Sequence, residues 1–162
     1  MHENGDARWR KAKSMRRRHF LHLALGFPWA LGVRAASPAR VALYKSPACG
    51  CCGNWARHLR ANGFTVDIGD VGDVDAVRVK AGVPAKLASC HTAFVGGYVI
   101  EGHVPAAEIR TLLAERPNAL GLAVPGMPAG APGMDGTPAG GFDVLLFQPD
   151  GTSRVYRTYP RA

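Results

Sequence analysis

The cysteines of this chain are concentrated in two short segments, and they define the chemistry that the sequence could support. Three of the four cysteines lie within Cys49-Gly50-Cys51-Cys52, and the fourth, Cys90, is followed directly by His91. Cys49 and Cys52 have the C-x-x-C spacing that is typical of thiol–disulfide enzymes and of many metal sites. Thiolate sulfur is the nucleophile in disulfide exchange and a ligand for soft metal ions. The sequence therefore indicates a function based on sulfur chemistry.

The elements around the C-x-x-C motif predict a strand–helix–strand unit. Residues 41–44 form a short apolar run that is typical of a buried strand. Residues 53–63 have one apolar helical face that includes Trp55 and Leu59, and residues 64–68 alternate as a strand does. The motif is therefore expected at the N-terminus of a helix, where the helix dipole and free N–H groups favour a thiolate and lower the pKa of a cysteine.

The rest of the chain completes an α/β, thioredoxin-like order, with a central mixed sheet and flanking helices. The pattern predicts a helix over 70–82, a hairpin of 92–95 and 98–101, a helix over 106–115, a Pro/Gly-rich loop over 121–141, and a C-terminal hairpin of 143–147 and 154–157. In thioredoxins the loop before the first hairpin faces the C-x-x-C. We therefore expect Cys90 and His91 to lie close to the other three cysteines.

Four thiols, an imidazole and nearby thioethers favour a metal site, and this set of ligands is best suited to a soft cation. Thiolate and thioether ligands select Cu(I), with zinc and iron–sulfur clusters as competitors. Three cysteines within four residues are crowded for one tetrahedral ion, and they suit thiolates that bridge several Cu(I) ions better. The predicted ligands are Cys49, Cys51, Cys52, Cys90 and His91. Three further residues are candidate ligands: His103, Met127 and Met134.

Two other functions remain open from the residues alone. Cys49 and Cys52 could form the redox pair of a thiol–disulfide oxidoreductase, with Cys49 as nucleophile and Cys52 as resolving thiol. The cysteines could also form a purely structural disulfide, although such bridges usually join distant elements. The sequence favours a metal-binding protein over an enzyme, and copper or thiol–disulfide oxidoreductase activity is the enzymatic alternative.

The net charge of +8 does not indicate a nucleic-acid-binding surface, because the excess lies at the N-terminus. Residues 1–35 hold eight basic and two acidic side chains, which leaves residues 36–162 nearly neutral.

A basic stretch containing Arg17 and Arg18 precedes an apolar run over 20–33 and then small residues, as in a twin-arginine export signal. The run is too short to predict a stable membrane span. We predict an N-terminal extension and export signal over 1–36 and a thioredoxin-like metal-binding domain over 37–162.

Four motifs resemble those of the periplasmic copper-resistance CopG family. These segments are 44–52, which contains the Cys-Gly-Cys-Cys motif, 89–93, which contains Cys90 and His91, 96–105 and 121–128. The resemblance implies a thioredoxin-like fold, export to the periplasm, and copper held by the cysteines in a thiolate-bridged cluster. It also implies a part in copper resistance or homeostasis, with copper redox activity as an extension. The implied partners are copper ions and other periplasmic copper-handling proteins.

Overall fold

The computed structural model describes residues 37–134 and 140–161, which form a seven-stranded mixed sheet with three α-helices. The strands are β1 (Arg40–Lys45), β2 (Thr65–Asp70), β3 (His91–Val95), β4 (Tyr98–Glu101), β5 (Gly121–Ala123), β6 (Phe142–Phe147) and β7 (Ser153–Tyr159). The helices are α1 (Gly50–Ala61), α2 (Val74–Lys80) and α3 (Ala106–Glu115). The predicted α/β class, with a central mixed sheet, is confirmed.

The strand order places the two cysteine segments at the ends of two neighbouring strands, after β1 and before β3. The order is β2-β1-β3-β4-β5-β6-β7, in which β1 pairs with β2 and β4 with β5 in parallel. The remaining neighbours are antiparallel, and Lys45 at the end of β1 lies opposite His91 at the start of β3. Cys90 therefore lies beside the end of β1, where the chain turns into the cysteine motif.

One apolar core fixes α1 and α3 against the sheet. The predicted apolar face of α1 is confirmed, because Trp55 and Leu59 are fully buried. Ile109 and Leu112 of α3 belong to the same core, together with residues of β1, β3, β4 and β5. The Trp55 indole N–H also donates a 2.8 Å hydrogen bond to the Val104 carbonyl. This packing holds the first turn of α1, and with it the cysteine motif, in a fixed position.

Two element predictions are wrong in their bounds. The helix predicted over 70–82 begins only at Val74, because β2 continues to Asp70 and the Asp73 side chain caps α2 by accepting from the Ala76 N–H. The segment 121–141 is not one loop, since residues 121–123 form β5 between β4 and β6. The first predicted hairpin and the helix over 106–115 are confirmed.

Residues 124–134 of the predicted loop pack onto the rest of the domain. We call this segment the Pro/Gly loop. The Gly126 N–H donates to the Ala88 carbonyl at 3.0 Å, so the loop begins beside the segment that leads to Cys90. At its other end Gly133 lies against the backbone of α1, where an added Cβ would be 2.5 Å from the Trp55 nitrogen. The loop therefore spans from one cysteine segment to the other.

The export signal predicted over 1–36 lies outside the described residues, and the domain boundary after residue 36 stays a prediction. Within residues 37–134 and 140–161, no helix has the length and apolar character that crossing a membrane requires.

Candidate metal centre

The structure brings all four cysteine sulfurs together. The Sγ atoms of Cys49, Cys51, Cys52 and Cys90 all lie within 4.8 Å of one another, although 38 positions separate Cys52 from Cys90. Cys49 is the N-cap residue of α1, and Cys51 and Cys52 lie in its first turn, which explains why three sulfurs share one helix end. Cys90 reaches them from the residue just before β3. The convergence expected from the sequence is therefore present.

Two of the sulfurs are joined and two are free. Cys49 and Cys52 form a disulfide with a Cα–Cα separation of 5.5 Å, whereas Cys51 and Cys90 are free thiols. Cys52 is fully buried, and Cys49 is half-buried, with its sulfur 3.5 Å from that of Cys51. In this state two sulfurs are available as ligands, and reduction of the disulfide would supply the other two.

Two buried histidines extend the site on the side of Cys90. The Cys90 sulfur lies 3.3 Å from His91 Nδ1 and 3.0 Å from His103 Nε2, and ligand atoms of the three residues lie within 4.8 Å of one another. Both imidazoles are fully buried, and the centroid of the His91 ring lies 4.4 Å from that of the Trp55 ring. The predicted ligand His91 and the candidate ligand His103 are therefore both next to a cysteine sulfur.

The Pro/Gly loop sets the tautomer of His103. His103 Nδ1 lies 2.7 Å from the Pro132 carbonyl oxygen, which can only accept a hydrogen bond, so this nitrogen carries the proton. Nε2 is then left with a lone pair directed at the Cys90 sulfur. Histidines that bind metals commonly donate their other ring N–H to a carbonyl in this way. His103 Nε2 can therefore accept a hydrogen bond from the Cys90 thiol or bind a cation.

His91 also has a nitrogen available. Within the described part of the chain, His91 Nε2 is a buried polar atom without a hydrogen-bond partner. A buried polar atom without a hydrogen-bond partner lowers the stability of the folded state. Because His91 lies among sulfur and imidazole ligands, this nitrogen fits a site in which it gains a partner when a cation binds.

The two methionine candidates differ in position. Met134 is half-buried and packs against the main apolar core, whereas Met127 is 58% exposed. Among the described residues, cysteine and histidine form two groups of possible ligands that share Cys90: Cys49, Cys51, Cys52 and Cys90, and Cys90, His91 and His103. A role for either methionine as a ligand stays a prediction.

Burial keeps the free thiol of Cys90 protonated in the absence of a cation. Burial raises the pKa of Cys90 to about 12, and the neighbouring Cys51 contributes to the same rise. A cation that bound this sulfur would therefore displace a proton, and its affinity would rise with pH. The lowered cysteine pKa that the sequence predicts at the helix N-terminus does not extend to Cys90, which lies outside α1.

We expect the metal-free protein to lose stability in acid through His91. Burial lowers the pKa of His91 to about 3 from 6.5, and the nearby His103 contributes to the same fall. Between these two values the unfolded chain binds a proton at this position and the folded chain does not, so stability falls as pH falls. The loss would reach roughly 3–5 kcal/mol at the lower end. It can be measured by urea denaturation at a series of pH values.

His91→Phe is the comparison variant for this experiment, because it keeps a buried ring but removes the titrating group. Acidic residues titrate in both chains, so the difference between their pH profiles isolates the imidazole. Parallel profiles for the wild-type and variant chains would show that His91 is not held neutral by burial.

The sequence analysis does not identify two contributors to the site, Glu101 and the Pro132 carbonyl. Glu101 is fully buried and accepts hydrogen bonds from the Ser89 N–H and the Thr92 hydroxyl, on either side of Cys90 and His91. An acidic residue at the end of the apolar run 98–100 was the available signal. The Pro132 carbonyl has no such signal, because a main-chain group is common to every residue type.

Comparison with known proteins identifies relatives of this chain. Residues 87–134, which include Cys90 and His91, match a family model described as "Protein of unknown function, DUF411". No curated protein matches the chain. Two solved structures described as "Copper resistance protein copG", Form 2 and Form 1, are each 42% identical and cover 76% of this chain. Their TM-scores are 0.72 and 0.71, and 99% and 98% of their own lengths are covered. The chain belongs to the CopG family of copper resistance proteins.

Proposed function

We propose that this protein binds copper as Cu(I) through Cys49, Cys51, Cys52 and Cys90, in a thiolate site or a thiolate-bridged cluster. The observation that carries the proposal is the convergence of four sulfurs within 4.8 Å. Soft thiolate ligands favour Cu(I), and the copper-resistance description of the two 42% identical structures supports copper over zinc. On this proposal the protein contributes to copper resistance or homeostasis.

We further propose that His91 and His103 complete the site. His103 Nε2 has its lone pair directed at the Cys90 sulfur, and His91 Nε2 has no hydrogen-bond partner among the described residues. Met127 and Met134 are candidate thioether ligands at the Pro/Gly loop. Copper is the cargo of this site, so its binding and release are the function.

The disulfide supports a redox component as a second candidate function. Oxidation of the Cys49 and Cys52 thiolates to the disulfide releases two electrons, which would reduce two Cu(II) ions to two Cu(I) ions. Cys51 and Cys90 would remain as thiol ligands for the product. The alternative of thiol–disulfide exchange with another protein is supported by the half-buried Cys49, which is placed to be attacked, beside the buried Cys52.

The proposed cellular setting follows from the family and from the N-terminal sequence. We propose that residues 1–36 direct export and that residues 37–162 act in the periplasm, with copper ions and other copper-handling proteins as partners. An oxidising compartment is consistent with a disulfide in the metal-free chain.

Titration with Cu(I) under anaerobic conditions tests the proposal. The reduced chain offers four thiolates and the disulfide form offers two, so we expect reduction to raise the copper bound per chain by roughly twofold. A colorimetric Cu(I) chelator as competitor measures both amounts. If reduced and disulfide forms bind equal amounts, or neither binds copper, the four-sulfur site is wrong.

An insulin-reduction assay separates the alternative of thiol–disulfide exchange. That activity requires Cys49 and Cys52 and should survive Cys51→Ser and Cys90→Ser, whereas binding by four thiolates should not. A chain that reduces insulin after both substitutions and binds no copper before them would be a thiol–disulfide oxidoreductase.

A further inference from the structure

A buried carboxylate holds the backbone on both sides of Cys90 and His91. Glu101, at the end of β4, is fully buried, and its Oε1 accepts a 2.7 Å hydrogen bond from the Ser89 N–H. Its Oε2 accepts a 2.7 Å hydrogen bond from the Thr92 hydroxyl. Ser89 immediately precedes Cys90, and Thr92 immediately follows His91. One side chain therefore contacts both ends of the segment that carries these two residues.

Arg78 of α2 strengthens the same attachment. Its Nε donates to Glu101 Oε1 at 2.7 Å, in an ion pair in which both side chains are buried, and its second guanidinium nitrogen donates to the Ser89 carbonyl. The backbone N–H of Ser89 is thus held by the glutamate and its carbonyl by the arginine. Asp75 pairs with the outer side of the Arg78 guanidinium.

Stability alone is a weak explanation for this ion pair. Removing two charges from water is costly, and well-packed apolar residues often replace a buried pair without loss of stability. The position of the pair indicates a role in orienting the segment that carries Cys90. Cys90 lies outside α1, yet its sulfur lies within 4.8 Å of three sulfurs at the start of α1. Small shifts of its backbone would separate them.

We propose that Glu101, supported by Arg78, is a positioning residue that holds Cys90 and His91 in place for the metal site. The inference rests on the proposed function, because convergence of the sulfurs matters only for a site that uses them together. Glu101 does not touch the cation in this proposal. It acts through the Ser89 backbone and the Thr92 hydroxyl.

The first experiment measures the position of Cys90 without copper. In a Cys51→Ser chain whose Cys49–Cys52 disulfide is confirmed by mass, Cys90 is the one free thiol, and its rate of alkylation by iodoacetamide reports how well it is held. We expect Glu101→Gln to raise this rate by about tenfold, the scale of one charge-assisted hydrogen bond.

Glu108→Gln is the matched control. Glu108 is also buried, accepts a 2.6 Å hydrogen bond from the Tyr159 hydroxyl and pairs with Arg157, but it belongs to α3 and contacts β7. We expect this substitution to change the alkylation rate by less than about twofold, because it leaves the contacts of the Cys90 segment intact.

The second experiment measures Cu(I) affinity in the reduced chain with all four cysteines. Loss of a group that orients a metal ligand typically costs about 10–100-fold in affinity, and we expect Glu101→Gln to fall in this range and Glu108→Gln to match the wild type. If Glu101→Gln does not fold, Thr92→Val removes one contact without leaving a charge unpaired. It should act in the same direction, and Thr92→Ser should restore the wild-type values.

The two experiments separate this inference from the proposed function. A wild-type chain that binds no copper would overturn the proposed function, and the alkylation rates would still decide whether Glu101 positions Cys90. Folded Glu101→Gln and Thr92→Val chains that match Glu108→Gln in both measurements would overturn the positioning role.

Discussion

Serine in place of Cys90 is expected to lower the affinity of the reduced chain for Cu(I) by about 100-fold or more. Loss of a residue that merely orients a ligand costs about 10–100-fold, so loss of a sulfur ligand should reach or exceed the upper value. The hydroxyl of serine is a hard ligand that Cu(I) does not favour. Competition with a Cu(I) chelator under anaerobic conditions gives the affinity of each chain.

The control for this experiment is Ser46→Ala, which changes a residue close to Cys49 in sequence but removes no sulfur. Melting temperatures of both variants should stay close to that of the wild type, since Cys90 is half-buried and serine is similar in size. An unchanged affinity in a folded Cys90→Ser chain would mean that Cys90 is not a ligand of the cation.

Alanine in place of Gly133 is expected to lower the free energy of unfolding by about 2–5 kcal/mol, from left-handed strain and steric overlap together. Gly133 has a φ of 83°, and an added Cβ would lie 2.5 Å from the Trp55 nitrogen and 2.9 Å from the Asn54 carbonyl carbon. These are main-chain atoms of α1 and cannot rotate away. The Pro/Gly loop would have to move, and the bond between His103 and the Pro132 carbonyl would be disturbed.

Gly126→Ala separates the two contributions. Gly126 also has a positive φ, of 67°, but no atom of residues 37–134 or 140–161 lies within 4 Å of the position that an added Cβ would occupy. We expect it to cost about 1–2 kcal/mol from left-handed strain alone. Urea denaturation measures both variants in the metal-free state. Equal losses for the two substitutions would show that Gly133 does not need its close contact with α1.

Much of the fold could be predicted because its central elements have regular patterns. The apolar face of α1, the Gly-Gly hairpin and α3 each give a periodic signal, and each lies where the pattern places it. The predicted start of α2 is wrong because several aspartates in 70–75 could cap a helix, and the choice of Asp73 depends on how far β2 extends.

The short strand β5 escapes prediction for a different reason. Its three residues, Gly121–Ala123, begin a Gly- and Pro-rich segment and are too few to show alternation. The structure explains the glycine, because an added Cβ at Gly121 would collide with the Val99 carbonyl of β4. Such a requirement depends on a neighbouring strand, so it cannot be identified from local sequence.

The candidate site divides in the same way. The proximity of the four cysteines, and of His91 to Cys90, could be predicted, because the predicted order of elements places the two motifs next to each other. The roles of Glu101 and of the Pro132 carbonyl could not, because they depend on three-dimensional contacts between segments distant in sequence. The placement of His103 beside Cys90 also depends on the turn after β4, which no periodic pattern describes.

The way in which the Pro/Gly loop is attached determines which of its residues can be replaced without loss of the fold. Its described attachments at Gly126, Pro132 and Gly133 use main-chain carbonyls, a main-chain N–H and the absence of a side chain. The exposed side chain of Met127 lies between these points and contributes little to that anchoring, whereas Ala131 is buried in the main apolar core. If the protein exchanges copper as proposed, substitutions at Met127 would alter that exchange and leave the fold intact.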